Sequence, residues 1–167
     1  MEDFKSIIDA HHPILYKIGR SYASADDFDD LYQEMLINLW KGLQNFSGKS
    51  KLSTWIYRVV LNTALTYNRN KKRKKVAHVP VEQIENIVET DTKQHKQNQE
   101  NDIKQLYVAI RKLPKDDRSI MLLYLEEKSY DEIAEIIGIK RNNVAVKINR
   151  SKKKLHELLK ENDYGRQ

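Results

Sequence analysis

SYDEIAEIIGIKRNNVAVKINRSKKKL, residues 129–155, decides how the rest of the chain is read. It splits into two helical stripes around a three-residue turn. Ile133, Ala134 and Ile137 share one face of a first helix, Gly138 offers the left-handed conformation of a helix stop, and Val144, Ile148 and Leu155 stripe a second helix. Ala134 is small and stands four residues before the glycine, where a larger side chain would push the crossing helices apart. The second helix also carries Arg141, Asn142, Asn143, Lys147, Asn149, Arg150, Lys152, Lys153 and Lys154. These are donors suited to phosphates and to base edges in a major groove. A hairpin with a merely solvated basic face would explain the charges, since charge runs usually face water. It would not explain the alanine, the glycine and the core spacing occurring together.

Composition narrows the remaining classes. The chain has 167 residues, 40% of them hydrophobic and 32% charged, with five glycines and three prolines, which favours one or two small helical domains over sheet. There is no cysteine, so disulfides and thiolate metal sites are excluded, and a reducing cytoplasm is the expected compartment. The histidines are His11, His12, His78, His95 and His156, without metal-ligand spacing, so neither a metal nor another cofactor is expected. Residues 1–19 are interrupted by charges and by Pro13, which predicts neither a signal peptide nor a membrane span.

The net charge of +6 hides a segmentation. Residues 1–40 hold three basic and eight acidic side chains, whereas residues 41–75 hold ten basic and none acidic. Residues 76–101 and 102–138 are weakly acidic at −3 and −2, and residues 139–167 return to +6. Two basic surfaces separated by acidic sequence suggest two contacts on one polyanion.

Taken in order, residues 2–22 carry a helical pattern that Pro13 is expected to break or bend near His12. Ala23 to Asp29 reads as a polar connection, with Asp29 or a neighbouring aspartate capping the next helix. Leu31, Met35, Leu36, Leu39, Trp40 and Leu43 form that helix's apolar face, and Asp30, Gln33 and Glu34 make an acidic surface that cannot meet DNA. Phe46 to Thr54 is a loop, followed by a helix through Trp55, Ile56, Val59, Val60, Thr63, Ala64 and Tyr67 that runs into Arg69–Lys75, six of whose seven residues are basic. Lys49, Lys51, the aromatics and this run combine stacking with phosphate neutralisation, as single-stranded nucleic acid requires. Trp55 by itself reads as core. Residues 76–101 are polar and poorly striped, a linker with one short apolar turn around Ile84 and Ile87. A helical stripe through Ile103, Leu106, Tyr107 and Ile110 follows and stops at Pro114, and Lys115–Leu125 is a short helix leading to the helix-turn-helix. The expected fold is therefore all-α: a domain over 1–75, a linker over 76–101, and a four-helix domain over 102–167.

Both halves together resemble the extracytoplasmic-function (ECF) sigma factors of bacterial RNA polymerase. The likeness rests on DFDDLYQEMLINLWKGLQNFSGKSKLSTWIYRVVLNTALTYNRNKKRKK from Asp27, with its Thr54–Arg58 and Asn62–Ala64 signatures, and on LPKDDRSIMLLYLEEKSYDEIAEIIGI before a basic helix. The resemblance implies that Asp30, Leu31, Gln33 and Glu34 dock on core polymerase. It implies that Phe46, Lys49, Ser50, Lys51, Trp55, Arg58, Asn62, Tyr67 and Arg69 meet the minus-10 strand, with an extruded base held in the loop. It also assigns Arg141, Asn142, Asn143, Ala145, Val146, Lys147, Asn149, Arg150 and Lys153 to the minus-35 element. The implied partners are core RNA polymerase and promoter DNA, with an anti-sigma protein as a further candidate, and the polymerase rather than this chain does the catalysis. Many members carry Gly-Thr where Asn142 and Asn143 stand, and often a basic residue in place of Ala145, so base preference does not transfer. A stand-alone helix-turn-helix regulator would share the second domain but would bind duplex operator without polymerase. An RNA-processing enzyme would need grouped acids for magnesium, which the sequence lacks.

Overall fold

The computed structural model describes residues 3–75 and 97–164. Among them are seven helices and no strand: α1 (Phe4–Tyr22), α2 (Ala25–Leu43), α3 (Leu52–Lys75), α4 (Gln97–Arg111), α5 (Lys115–Leu125), α6 (Tyr130–Ile137) and α7 (Arg141–Tyr164). The chain divides into two compact units, Met1–Asn86 and Ile87–Gln167. The fold is all-α, as expected. No described helix is long and apolar enough to cross a membrane. No described group of three or more His, Cys, Asp or Glu residues could hold a metal ion.

In the first unit α1, α2 and α3 pack pairwise around one core. Ile14, Leu15 and Ile18 from α1 meet Leu31, Met35 and Leu39 from α2 and Ile56, Val60 and Ala64 from α3, all buried. Pro13 does not break α1. Its ring removes the N–H that would bond Asp9, normally a loss of about 3 kcal/mol or more in a helix interior. Pro13 lies on the exposed side, where water can serve the orphaned carbonyl, while Ile14 and Leu15 beside it are buried. The expected connection up to Asp29 is also shorter than its polar residues suggested. Only Ala23 and Ser24 separate α1 from α2, and Ser24, not an aspartate, holds the position before the first turn of α2, without a side-chain cap hydrogen bond. Asp26 and Asp27 occupy the first turn, where the helix dipole favours them. Asp27 accepts from both the Ser24 hydroxyl and the Lys71 ammonium, tying the start of α2 to the basic end of α3. Asn68 donates to the Tyr22 carbonyl at 2.8 Å and seats the same stretch of α3 on the α1–α2 corner. A β-carbon on Gly19 would stand 2.8 Å from the Phe28 ring, so glycine there lets α2 begin close against α1.

The second unit is held by α7, which packs on α4, α5 and α6. Ala109, Ile110, Ile120, Leu123, Ile133, Val144 and Ile148 are fully buried. α4 begins at Gln97, so its first turn occupies the end of the segment expected to be linker. Residues 76–96, the rest of that segment, lie outside the described residues. Pro114 turns the chain into α5, and Arg118 donates to the carbonyls of Arg111 and Leu113, serving acceptors that the end of α4 leaves open. α6 opens with a capping box: the Ser129 hydroxyl accepts from the Glu132 N–H at 3.2 Å, and the Glu132 carboxylate accepts from the Ser129 N–H at 2.9 Å. It closes at Gly138, with φ +81°, whose N–H and that of Ile139 both reach the Ala134 carbonyl. A β-carbon would strain that left-handed residue. The buried residues of α6 are Ile133 and Ile136, whereas Ala134 and the expected Ile137 are half-buried on its flanks.

Candidate nucleic-acid interface

Gln44 to Lys51 bridges α2 and α3, with the backbone turning at Gly48, φ +70°. The Phe46 ring stands 5.3 Å from the Trp55 ring, and both are half-buried, so Trp55 is a partly open platform and not the core residue its sequence suggested. Lys49 and Lys51 are exposed and Ser50 is half-buried. Trp55, Arg58, Asn62 and Arg69 recur near one face of α3, with Arg58 half-buried and Asn62 and Arg69 exposed. Together they offer an aromatic platform, a basic loop and a basic stripe, the parts that single-strand capture uses.

Tyr67 is not on that stripe. Its position is about 120° around the helix from Trp55. It is half-buried towards α2, where burial, then Asp30, then Glu34 raise the phenol pKa. The sequence placed it among the strand-facing residues, but the helix register carries it to the acidic side.

Gly42, which no motif marked, decides where Trp55 sits. A β-carbon there would come within 2.8 Å of the indole. Gly42→Ala is expected to push the ring off its seat and alter the near-UV circular dichroism of the tryptophans. The overpacking, about 1–3 kcal/mol, is partly offset by the roughly 1 kcal/mol that alanine gains over glycine in a helix. An unaltered spectrum with a plain gain in stability would mean that Trp55 does not rest on Gly42.

On α2, Asp30 and Gln33 are exposed and Glu34 is half-buried. Leu31, expected among the surface contacts, is fully buried at 0% exposure, because its side of the helix faces α1 and α3. The same turn-by-turn spacing leads from Asp30 and Gln33 to Ile37 and Trp40, which are 50% and 53% exposed. Trp40, expected on the apolar face, instead stands edge-on to Phe4 at 5.1 Å and shows half its surface to solvent. The acidic face thus has an apolar extension that the spacing of residues 30, 33, 37 and 40 could have revealed.

On α7, Val144, Ile148, Ser151 and Leu155 are buried, leaving the opposite side outward. Asn142, Asn143, Asn149, Arg150 and Lys153 are exposed, Ala145 is half-buried, and Val146 is 56% exposed. Arg141 pairs with Asp131 at 3.3 Å, both open to solvent. Lys152 donates to the Tyr124 hydroxyl at 2.8 Å, which raises the lysine pKa. Lys147 turns away from the outward side: its ammonium lies 3.0 Å from Asp117 on α5, and both side chains are largely covered. Nothing near Lys147 in sequence signals this partner.

Two family descriptions match the chain, Sigma-70 region 2 over residues 7–74 and Sigma-70, region 4 over residues 103–155. The ECF RNA polymerase sigma-E factor of Haemophilus influenzae is 28% identical over 146 residues, which are 83% of this chain and 77% of that protein. The sigma-E factor of Escherichia coli K12 is 29% identical over 154 residues, 87% of this chain and 80% of its own. The sigma factor RpoE of Bartonella quintana, solved in complex with the anti-sigma factor NepR, shares the fold with a TM-score of 0.77 at 24% identity, covering 96% of this chain and 98% of its own. CnrH, solved with the cytosolic domain of CnrY, gives a TM-score of 0.67 at 20% identity, covering 95% of this chain and 88% of its own. With an aromatic and basic surface on the first unit, a helix-turn-helix in the second, and regions 2 and 4 matched in that order, the chain belongs to the sigma-70 family as an ECF-type RNA polymerase sigma factor.

Proposed function

We propose that this ECF sigma factor, which binds core RNA polymerase and directs promoter recognition and transcription initiation, divides that work among three surfaces. The α2 face of Asp30, Gln33, Glu34, Ile37 and Trp40 docks on polymerase, for it is too acidic for DNA and carries exposed apolar side chains of the kind interfaces bury. The loop residues Phe46, Lys49, Ser50 and Lys51, with Trp55, Arg58, Asn62 and Arg69, hold the minus-10 strand. The outward side of α7 reads the minus-35 element. Phosphate contacts alone position without specifying, so each DNA surface binds weakly by itself. Polymerase fixes their separation and turns two weak contacts into one strong one. Sigma factors are non-enzymatic initiation factors. This chain supplies recognition and strand capture, acts in the cytoplasm beside the polymerase, and is a candidate for capture by an anti-sigma protein, as in the Bartonella complex. Reconstitution with core polymerase tests the whole assignment: run-off transcription that needs both proteins is expected, and stable operator binding by the chain with no effect on polymerase would overturn it.

The observation that carries the minus-35 reading is the split within α7. Val144 and Ile148 are fully buried, while Val146, between them, shows 56% of its surface. An exposed valine beside Ala145 cannot donate to guanine or phosphate, but it can contact a thymine methyl. Asn142 or Asn149 can bond adenine across N6 and N7, with Arg150 fixing register on phosphate. The minus-35 element therefore includes at least one thymine read through its methyl group. Replacing its thymines singly by uracil should weaken promoter use at one position by on the order of 1 kcal/mol, and Ala145→Arg should shift preference towards guanine at the facing pair. If every uracil substitution is silent, apolar readout is wrong.

A further inference from the structure

Asn143, Lys147, Arg150 and Lys154 recur at helical spacing along one flank of α7, beside the outward side. Asn143, Arg150 and Lys154 are exposed, whereas Lys147 is only half exposed because it folds back onto α5. Among the described residues three cations of α7 pair with carboxylates of the same unit, and the pairs are not equivalent. Arg141–Asp131 has side chains 59% and 78% exposed, and Lys154–Glu157, at 3.6 Å, has side chains 57% and 64% exposed. Such solvated pairs are weak and screened, and they open readily when a phosphate competes. Lys147–Asp117 is shorter, 3.0 Å, with side chains 35% and 23% exposed, and it joins two helices that also share a core. Opening it would leave Asp117 a partly desolvated carboxylate without its partner, facing a polyanion.

We propose that Asp117 is a specificity-determining residue of the minus-35 surface: by holding Lys147 it keeps one cation off the DNA backbone. This inference rests on the reading that α7 lies in the minus-35 major groove. A cation on phosphate strengthens binding to every sequence alike, whereas base-edge contacts separate one sequence from another. Withholding Lys147 therefore lowers the sequence-independent background and leaves a larger share of promoter choice to Ala145, Val146 and Asn149. Asp117 touches no base. It acts through the lysine it neutralises, as a positioning residue.

The released charge has a distinctive readout. One added phosphate contact steepens the log–log dependence of affinity on salt by about 0.9. Binding of the full chain to a mixed-sequence duplex of about 25 bp, followed by fluorescence anisotropy between roughly 50 and 200 mM salt, measures that slope. Asp117→Asn keeps the shape and a hydrogen-bond acceptor but removes the charge. It should bind more tightly and steepen the slope by about 0.9, so that its advantage is about three- to four-fold larger at the low-salt end. Asp117→Glu should keep the wild-type slope, and the steepening should vanish when Asp117→Asn is combined with Lys147→Gln. An unchanged slope in Asp117→Asn, or a steepening that survives Lys147→Gln, would overturn the proposal. Arg150→Ala tests the reading beneath it: a shallower slope is expected, and an unchanged one would show that this side of α7 does not meet DNA, whatever Asp117 does.

Discussion

Replacing Asp30 and Glu34 together by lysine is expected to weaken binding to core polymerase by at least about 30-fold. Truncating one partner of a buried interfacial charge pair costs about 2–5 kcal/mol, and the lower bound alone is roughly a 30-fold change. Here two charges are reversed, so a cation would face whatever surface had evolved to receive a carboxylate. The fold should survive, since Asp30 is exposed and Glu34 half-buried, while the core residues Leu31 and Met35 are untouched. A built-in check comes from Tyr67, whose phenol pKa is raised by burial and by the charges of Asp30 and Glu34. With lysines at both positions the two charge contributions change sign and favour the phenolate, so an ultraviolet pH titration should show Tyr67 ionising at lower pH than in the wild type. A variant with that shifted titration and undiminished capture of core polymerase in a pull-down would place the docking surface elsewhere.

Ile148→Ala should cost the second unit most of its stability. Ile148 is fully buried on α7, the helix that packs on α4, α5 and α6. A buried isoleucine truncated to alanine loses about 2–5 kcal/mol through lost transfer energy and the cavity left behind. Domains as small as this unit sit near the lower end of the usual range of stability, about 5 kcal/mol, so the loss is comparable with the whole. Hydrogen exchange should show protection lost across α5, α6 and α7 and retained in α1 to α3. Promoter use that depends on the minus-35 element should fail with it. Val146→Ala, two residues away and 56% exposed, should stay within about 0.5 kcal/mol of wild-type stability. Equal destabilisation by the two substitutions would mean that α7 is rotated from the register described, and the assignment of its outward residues would fall.

How far the sequence reached differs from element to element. Gly138 marked the end of α6 because only one backbone conformation closes that turn and glycine adopts it without strain. The Ser129–Glu132 capping box is equally legible as S-x-x-E ahead of an apolar run. The turn before it carries no such sign. Glu127 takes φ +57° with an ordinary side chain, held where the Lys128 N–H reaches the Leu123 carbonyl. Pro13 does not break α1: its local penalty is real, but the buried residues beside it outweigh that penalty once three helices share a core.

What the sequence determined by itself was therefore whatever depends on residues within a turn or two of each other: the helices, the helix-turn-helix, the basic run at the end of α3, and the family these compose. Periodicity says which side chains share a face, because the helix fixes 100° per residue regardless of surroundings. It does not say what that face meets. Only the tertiary structure decided that Leu31 is buried, that Tyr67 meets the acidic side chains of α2, that Gly42 seats Trp55, and that Lys147 spends its charge on Asp117. Each of these depends on residues brought together from different helices. Packing and Coulomb energies act through space over a few ångströms, whatever the separation along the chain, so no local pattern of residues records them.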